Sequence, residues 1–341
     1  MRNKAISSSL IFISLFLGIG ATAFFTSGAK EILIPQVSAQ PIATIEPNLE
    51  INRQSQRSIT SYWGLGTWID SYDIDPLYVD NPTVIPADVT EMSNSGIRTL
   101  YMQAARSDSR ATWPITDPWI LTEFLLAAHQ QGIEVVAWYL PKWGSGNEDL
   151  ERLQALSEFE VLGHRFDGLA VDIEWNSDGL EGQERSQRLI KLSNEIRMRI
   201  GEDPLGAIVM PPVLTDEINP DFWPNFPWRE IEPIYDVWLP MSYWSFRTEE
   251  HADPYYYSGE SIRLLRENLG NPEAKVHGIG GIGLADGTQL PDPGEPLASI
   301  DDLKPFFDSL IATGSIGGSI YDWATTGEYS RQQLAELFAD L

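Results

Sequence analysis

Short apolar runs alternate with amphipathic stretches from Ile59 to the end of the chain, which is the pattern of a parallel sheet with helices outside it. The predicted strands begin at Ser61, Ile97, Ile133, Phe166, Gly206, Tyr235, Lys275 and Ser315. Eight strands separated by helices in about 280 residues predict a (β/α)8 TIM barrel, a single domain over residues 59–341. A doubly wound open sheet is the alternative. No GxGxxG turn follows the first strand, which argues against it.

The stretches between the strands repeat their apolar residues at spacings of three and four, as amphipathic helices do. The predicted helices cover residues 117–131, 147–161, 182–200, 258–269, 301–313 and 330–341. Asp117-Pro118 and Ser330 are typical of helix starts. Glycines at the far ends are typical of helix stops, at positions Gly132, Gly201, Gly270 and Gly314.

The fourth predicted strand carries two acids. In Phe166 to Trp175, FDGLAVDIEW, strand alternation puts Gly168, Ala170, Asp172 and Glu174 on one face. Burying an unpaired carboxylate at the end of a strand costs free energy. A catalytic role therefore explains these two acids better than packing does. We expect Glu174 to act as an acid, with Asp172 beneath it, at the face where barrel active sites lie. An ion pair with Arg or Lys at the rim is the alternative.

Aromatic residues crowd the predicted carboxyl ends of the other strands. Flat rings suit the C–H faces of sugars, while carboxylates and amides suit the hydroxyls, so carbohydrate is the expected ligand. The side chains expected to bind substrate are Trp68, Gln103, Tyr139, Met241, Tyr243, Asp322 and Trp323. Taken singly, each aromatic residue could equally belong to the core.

The N-terminus has the features of an export signal. Arg2 and Lys4 precede an apolar segment over residues 10–25, and small residues stand at 37–39. We predict a signal peptide or an uncleaved signal anchor over residues 1–39, followed by a linker over 40–58. Both alternatives place the folded part outside the cytoplasm, and the second would anchor it in the membrane through residues 10–25.

Charge and composition narrow the partners. A chain with a net charge of −26 lacks the basic surface that binding to nucleic acid or to anionic lipid requires. The chain has no cysteine, and its four histidines form neither HxH nor HExxH. We therefore predict no cofactor and no metal site, and the sequence leads us to infer no protein partner. Asp70, Asp73 and Asp75 come nearest to a calcium-loop spacing, although a solvated loop is the commoner meaning of such residues.

With these residues in place, the chain resembles the glycoside hydrolase family 18 chitinase-like barrels. Their DGxDxDxE motif aligns with Asp167 to Glu174, their MxYD motif with Met241 to Trp244, and their eighth-strand tryptophan with Trp323. The resemblance implies that Glu174 protonates the glycosidic oxygen and that Asp172 orients the 2-acetamido group. It further implies that Tyr243 donates to that group and that Trp323 forms the floor of the sugar subsite. The acetamido oxygen then replaces a nucleophile on the enzyme.

The chain departs from that pattern at two positions, since Ala170 and Trp244 stand where the family has Asp. An exported glycoside hydrolase acting on a polysaccharide, N-acetylated if the resemblance holds, is the leading hypothesis. A non-catalytic, lectin-like barrel and an envelope scaffold are the alternatives. A further alternative is an inverting glycoside hydrolase, in which Asp70 or Asp322 serves as the base at roughly 6.5 to 9.5 Å from Glu174.

Overall fold

Eight parallel strands close into a barrel in the computed structural model, which describes residues 58–111, 113–177, 179–282 and 298–339. The barrel strands, in chain order, are Gly64–Ile69, Thr99–Gln103, Glu134–Tyr139, Gly168–Ile173, Leu205–Val209, Val237–Ser242, His277–Ile282 and Gly317–Tyr321. Each pairs with the next along the chain, and the first pairs with the eighth, Gly64 opposite Gly317. The predicted (β/α)8 architecture is confirmed. The fifth strand starts one residue earlier than predicted, at Leu205.

The strands alternate between two cores, as a closed barrel requires. Inward side chains form one cluster in the lumen, and outward side chains pack with the helices in another. The lumen cluster is Tyr62, Trp68, Tyr101, Val136, Trp138, Ala170, Ile208, Met210, Leu214, Val237, Leu239, Met241 and Ile279. Four of these residues are aromatic and come from the first three strands or the short helix before them, so one side of the lumen is aromatic. They are Tyr62, Trp68, Tyr101 and Trp138.

Tyr62 closes the N-terminal end of the lumen. It ends the short 3₁₀ helix Ile59–Tyr62, and its hydroxyl donates to the carbonyl of Leu169 at 2.7 Å. A Cβ at Gly168 would lie 2.8 Å from the Tyr62 hydroxyl oxygen, so glycine is needed there. The floor is therefore filled by a side chain, and a ligand can enter the lumen only from the carboxyl ends of the strands.

Helices surround the barrel. The α-helices are Ser71–Ile74, Val89–Asn94, Pro118–Gln130, Glu148–Glu158, Gly182–Ile200, Trp228–Ile231, Pro254–Leu269, Leu303–Thr313 and Glu328–Leu337. Asp117 caps the third of these by accepting from the amide of Trp119 at 2.8 Å, as predicted. Gly270 and Gly314 end theirs with φ of 70° and 63°, the left-handed conformation that glycine adopts at no steric cost.

Helix predictions were wrong at several ends. The helix predicted to begin at Ser258 begins at Pro254, because the side chain of Asp253 caps it by accepting from the amide of Tyr256 at 2.9 Å. The helix predicted to reach Val161 ends at Glu158, because the chain turns there into a two-stranded hairpin, Glu160–Val161 with His164–Arg165. Ser330 is not a cap: it is buried inside the last helix, which begins at Glu328 after Gly327. Within residues 58–111, 113–177, 179–282 and 298–339, no helix is long and apolar enough to span a membrane. The predicted signal, anchor and linker lie outside these ranges, apart from Ser58.

Candidate active site

The fourth strand brings its two acids to the mouth of the barrel. Ala170 belongs to the lumen cluster, and alternation from it directs Asp172 the same way, where its side chain is 6% exposed. Glu174 is half-buried directly after the strand ends at Ile173, and its charge acts on Asp172. The structure thus places Asp172 and Glu174 together, at the face where ligands reach a (β/α)8 barrel.

The two carboxyl groups share a strongly perturbed environment. Burial raises the pKa of Asp172 well above its usual range, and the charge of Glu174 raises it further. Burial also raises the pKa of Glu174. The ammonium group of Lys142 opposes both shifts. A pair of this kind loses its protons in two coupled steps, and it retains one proton at a pH where an isolated carboxyl has lost it.

Aromatic rings line the lumen next to this pair. Trp68 stacks on Tyr101 with 4.2 Å between ring centroids, and its indole nitrogen donates to Ser319 at 2.8 Å. Tyr321, at the end of the eighth strand, lies 6.3 Å from Trp68 and 6.2 Å from Tyr243, measured between centroids. These rings follow one another in the order Tyr101, Trp68, Tyr321 and Tyr243, from the second strand through the first and eighth to the end of the sixth.

Tyr243 and Tyr321 face acids on two sides. Burial raises the pKa of Tyr243, and the charges of Glu174, Asp172 and Asp322 raise it further, so the phenol keeps its proton and can donate. Met241, two residues earlier on the sixth strand, belongs to the same lumen cluster. Tyr243 and Tyr321 both pack against that cluster.

A second acidic group lies at the ends of the first and eighth strands. Burial and the neighbouring Asp70 raise the pKa of Asp322 to about 6, although Thr325 donates to it from both its amide and its hydroxyl. Burial, Asp70 and Asp322 raise the pKa of Asp73 as well. Asp70 and Asp73 also form a capping box for a short helix, so these carboxylates organise the loop after the first strand. Among the residues that the structure describes, no three or more His, Asp or Glu side chains are grouped to hold a metal.

Three predicted binding residues have other contacts. Gln103 is buried, and its amide oxygen accepts from the backbone amide and hydroxyl of Ser71 at 3.1 and 2.7 Å, so it joins the first two loops. Tyr139 belongs to the outer core, and its hydroxyl donates to Asp149 at 2.6 Å. Trp323 also belongs to the outer core, is 3% exposed, and has the guanidinium of Arg331 over its ring at 3.4 Å.

The placement of Trp323 follows from strand alternation. Ser319 and Tyr321 point into the lumen, and the strand ends at Tyr321, so Trp323 belongs to the turn beyond it. Alternate residues of a strand share one face, so the sequence itself places Tyr321 on the lumen face with Gly317 and Ser319. Tyr321 and Lys142 also stand at predicted strand ends, and sequence reasoning assigned neither of them a role in the site.

Trp244 packs outside the barrel. Its indole nitrogen donates to Asp302 at 3.0 Å, and its ring lies 5.1 Å from that of Phe306. A Cβ at Gly280 would lie 2.6 Å from Cζ3 of Trp244, so the glycine of the seventh strand leaves room for the indole. Trp244 therefore replaces the family's sixth-strand acid with a packing residue that does not reach the lumen.

Several buried polar atoms in the lumen have no hydrogen-bond partner among the described residues. They are Oδ1 of Asp172, the hydroxyl of Tyr101 and the indole nitrogen of Trp138. Unpartnered buried polar groups are rare because each costs about 1–3 kcal/mol. A polar ligand in the lumen could form hydrogen bonds with these donors and with this acceptor.

No protein-family model matches the sequence, and no curated protein matches it. Solved structures match it along most of its length. The spore cortex-lytic enzyme SleL of Bacillus cereus aligns with a TM-score of 0.58 and 10% identity over 81% of this chain and 74% of its own. A class V chitinase mutant from the plant Cycas revoluta, in complex with (GlcNAc)3, gives 0.57 and 12% over 80% and 98%. The PgaB (BpsB) glycoside hydrolase domain of Bordetella bronchiseptica gives 0.54 and 12% over 81% and 98%.

At sequence identities of 10 to 12%, these alignments show that the chain and the three structures share a fold. The chain therefore has the fold of the chitinase-like glycoside hydrolase barrels, as a divergent example. The resemblance drawn from its sequence motifs is confirmed at that level.

Proposed function

We propose that this protein is a glycoside hydrolase that cleaves a polysaccharide containing 2-acetamido sugars, with Glu174 as the general acid. The observation that carries the proposal is the Asp172–Glu174 pair at the mouth of a ring-lined barrel, one carboxyl buried and one half-buried, where burial raises the pKa of both. A proton donor is needed to expel a sugar from a glycosidic bond, whereas simple binding has no use for one. The spore cortex-lytic and chitinase names of the structural neighbours support an N-acetylated glycan.

In the proposed reaction Glu174 gives its proton to the glycosidic oxygen as the bond to C1 breaks. The acetamido oxygen of the same sugar bonds to C1 from the opposite face, forming a cyclic oxazolinium ion. Water then attacks C1, gives its proton to the Glu174 carboxylate, and restores the acetamido group with retained configuration. Glu174 ends each cycle protonated, as it began.

Asp172 and Tyr243 orient the acetamido group in this proposal. Oδ1 of Asp172 has no partner among the described residues and can accept the acetamido N–H, which turns the acetamido oxygen toward C1. The protonated phenol of Tyr243 can donate to the acetamido oxygen. Ring stacking is assigned to the half-buried Tyr321. Trp323 is covered by Arg331, Tyr139 is bonded to Asp149, and Trp68 is 2% exposed with its ring stacked on Tyr101.

A lectin-like barrel is the second candidate, and Ala170 favours it. This residue is fully buried in the lumen beneath Asp172, where the family has its innermost Asp. A barrel that lost the group below its acid pair could retain sugar binding without turnover. It would bind oligosaccharides and release no product at any pH.

The test compares two oligomers that differ only in the acetamido group. We expect the wild-type protein to cleave an N-acetylglucosamine oligomer and to leave its fully N-deacetylated form intact, since only the first supplies the internal nucleophile. Mass spectrometry of the products reads the result. Equal cleavage of both oligomers would overturn the substrate-assisted route, and binding of both without cleavage would favour the lectin.

We also propose that the protein acts outside the cytoplasm, either released or held by residues 10–25. The basic start, apolar segment and small residues of positions 1–39 support this. Fractionation of cells producing the full chain, with N-terminal sequencing of the product, tests it. A cytoplasmic product that retains its N-terminus would contradict it.

A further inference from the structure

Lys142 lies three residues after the third strand ends at Tyr139, against the segment that follows the fourth strand. Its ammonium group is 3.0 Å from the centroid of the indole ring of Trp175, the residue that follows Glu174. The next residue, Trp143, donates from its indole nitrogen to the carbonyl of Trp175 at 2.8 Å. Two contacts therefore join consecutive residues of this loop to one residue of the acid-bearing segment.

The same loop is fixed from its other side. The amide of Lys142 donates to Oδ1 of Asp149 at 3.1 Å, and this oxygen also accepts from the hydroxyl of Tyr139 at 2.6 Å. Arg188 donates to the carbonyl of Trp143. The backbone that carries Lys142 is thus held by the third strand and by two helices, and the Trp175 ring contacts its ammonium group.

Lys142 is placed among charges of both signs. Glu174, Asp172 and Asp149 favour its ammonium form, whereas burial and Arg106 disfavour it and bring the pKa of Lys142 to about 8. It is therefore largely charged at neutral pH. Tyr243, the other titratable group that faces the acids, stays neutral there.

Two carboxyl groups in a buried site need a compensating charge if either is to ionise. Ala170 supplies no charge or hydrogen bond beneath Asp172, and Oδ1 of Asp172 has no partner among the described residues. Lys142 is the cation whose charge acts on both acids. Removing that charge would raise the pKa of both acids, because the ionised form of the pair would lose a favourable interaction.

We propose that Lys142 is a positioning residue that holds the Asp172–Glu174 pair at one negative charge and so sets the pH above which Glu174 can no longer donate a proton. Its effect on the carboxyl pair does not depend on turnover, and its effect on catalysis rests on the proposed function. Lys142 acts through the two acids and need not touch the sugar.

The direct test is an NMR titration of protein labelled with ¹³C at the Asp and Glu side-chain carboxyls. Asp172→Asn and Glu174→Gln identify the two signals. In Lys142→Met, both apparent pKa values are expected to rise by about one pH unit, because a nearby positive charge has been lost. Lys142→Arg keeps the charge and should titrate like the wild type.

The control variant is Lys191→Met, which removes an exposed lysine paired with Glu195 on a helix and should move neither signal. If Lys142→Met does not fold, Lys142→Gln serves in its place, with circular dichroism as the check. Unmoved carboxyl signals in a folded, charge-removed variant would overturn the proposal.

Kinetics then separate this inference from the proposed function. With an oligosaccharide that the wild type cleaves, the alkaline limb of kcat/KM should move about one pH unit upward in Lys142→Met and stay in place in Lys142→Arg. A lysine with only a structural role would lower the rate and leave the limb where it was. A wild type that cleaves nothing would refute the hydrolase, while the titration would still decide the role of Lys142.

Discussion

The hydroxyl of Tyr321 donates to Oδ2 of Asp70 at 2.9 Å, joining the end of the eighth strand to the loop after the first. This bond fixes the Tyr321 ring in the lumen, beside Trp68 and Tyr243. Tyr321 is therefore the eighth-strand ring that packs in the lumen, whereas Trp323 is two residues further along and packed in the outer core.

Tyr321 and Trp323 should therefore respond differently to substitution. We expect Tyr321→Ala to lower kcat/KM about fivefold or more, because it removes a ring worth about 1 kcal/mol or more of stacking. Trp323→Phe should cost about 1–3 kcal/mol of unfolding free energy and leave kcat/KM nearly unchanged. Steady-state kinetics and urea unfolding of both variants check this. The reverse pattern would return the sugar-binding role to Trp323.

Tyr243→Phe isolates the phenol proposed to donate to the acetamido oxygen. We expect kcat to fall about 10- to 100-fold with the fold intact, since one donor to developing charge is lost. The wild type and the variant are compared on the same N-acetylated oligomer, and urea unfolding serves as the control. An unchanged kcat would show that this hydroxyl does not contact the reacting group.

Asp322 makes the stability of the barrel depend on pH. Its pKa is about 6 in the folded protein and near 4 in the unfolded chain, so the folded state binds its proton more tightly. The stabilisation by this proton is complete below about pH 4 and is lost as the pH rises through about 6. Asp322→Asn retains an oxygen that can accept from Thr325 and has no charge to lose.

Relative to the wild type, Asp322→Asn should therefore gain up to about 3 kcal/mol of unfolding free energy between pH 4 and pH 7. Urea unfolding across that range measures the difference. The matched control is Asp80→Asn, at an exposed position, which should show a much smaller trend. A difference that does not change with pH would show that Asp322 titrates normally.

Packing of Trp244 against the seventh strand gives a test outside the active site. Gly280→Ala places a Cβ 2.6 Å from Cζ3 of Trp244 and should destabilise the protein by about 1–3 kcal/mol. The same change at Gly259 in a helix, where a Cβ would have no neighbour closer than 3.8 Å, should be neutral or stabilising. Equal effects on thermal unfolding at the two sites would contradict the packing described for Trp244.

Much of the barrel could be predicted from the sequence because its strands are short apolar runs with clear alternation. Asp172 and Glu174 were found in this way, since their facing depends only on a period of two from Ala170. The helix ends at Glu158 and Glu328 were missed, because a hairpin and the Gly327 cap compete with the apolar pattern there.

Other parts of the site depend on how loops run. Trp323 was matched by residue type and chain order, yet alternation gives the lumen position to Tyr321. The contact of Lys142 with Trp175 joins two loops 33 positions apart, and no spacing rule predicts it. Tyr139 was expected to contact the substrate. Its hydroxyl instead donates to Asp149, in the helix after the third loop, and the sequence pattern does not predict that contact.

The most direct test of the central claim is hydrolysis of an N-acetylglucosamine oligomer by the wild type and by Glu174→Gln, with binding measured by calorimetry on the same preparations. Gln has nearly the shape of Glu and no proton to give. We predict that the variant binds the oligomer with an affinity close to that of the wild type and cleaves it at least about 1000-fold more slowly. Cleavage by Glu174→Gln at the wild-type rate would contradict the assignment of Glu174 as the general acid.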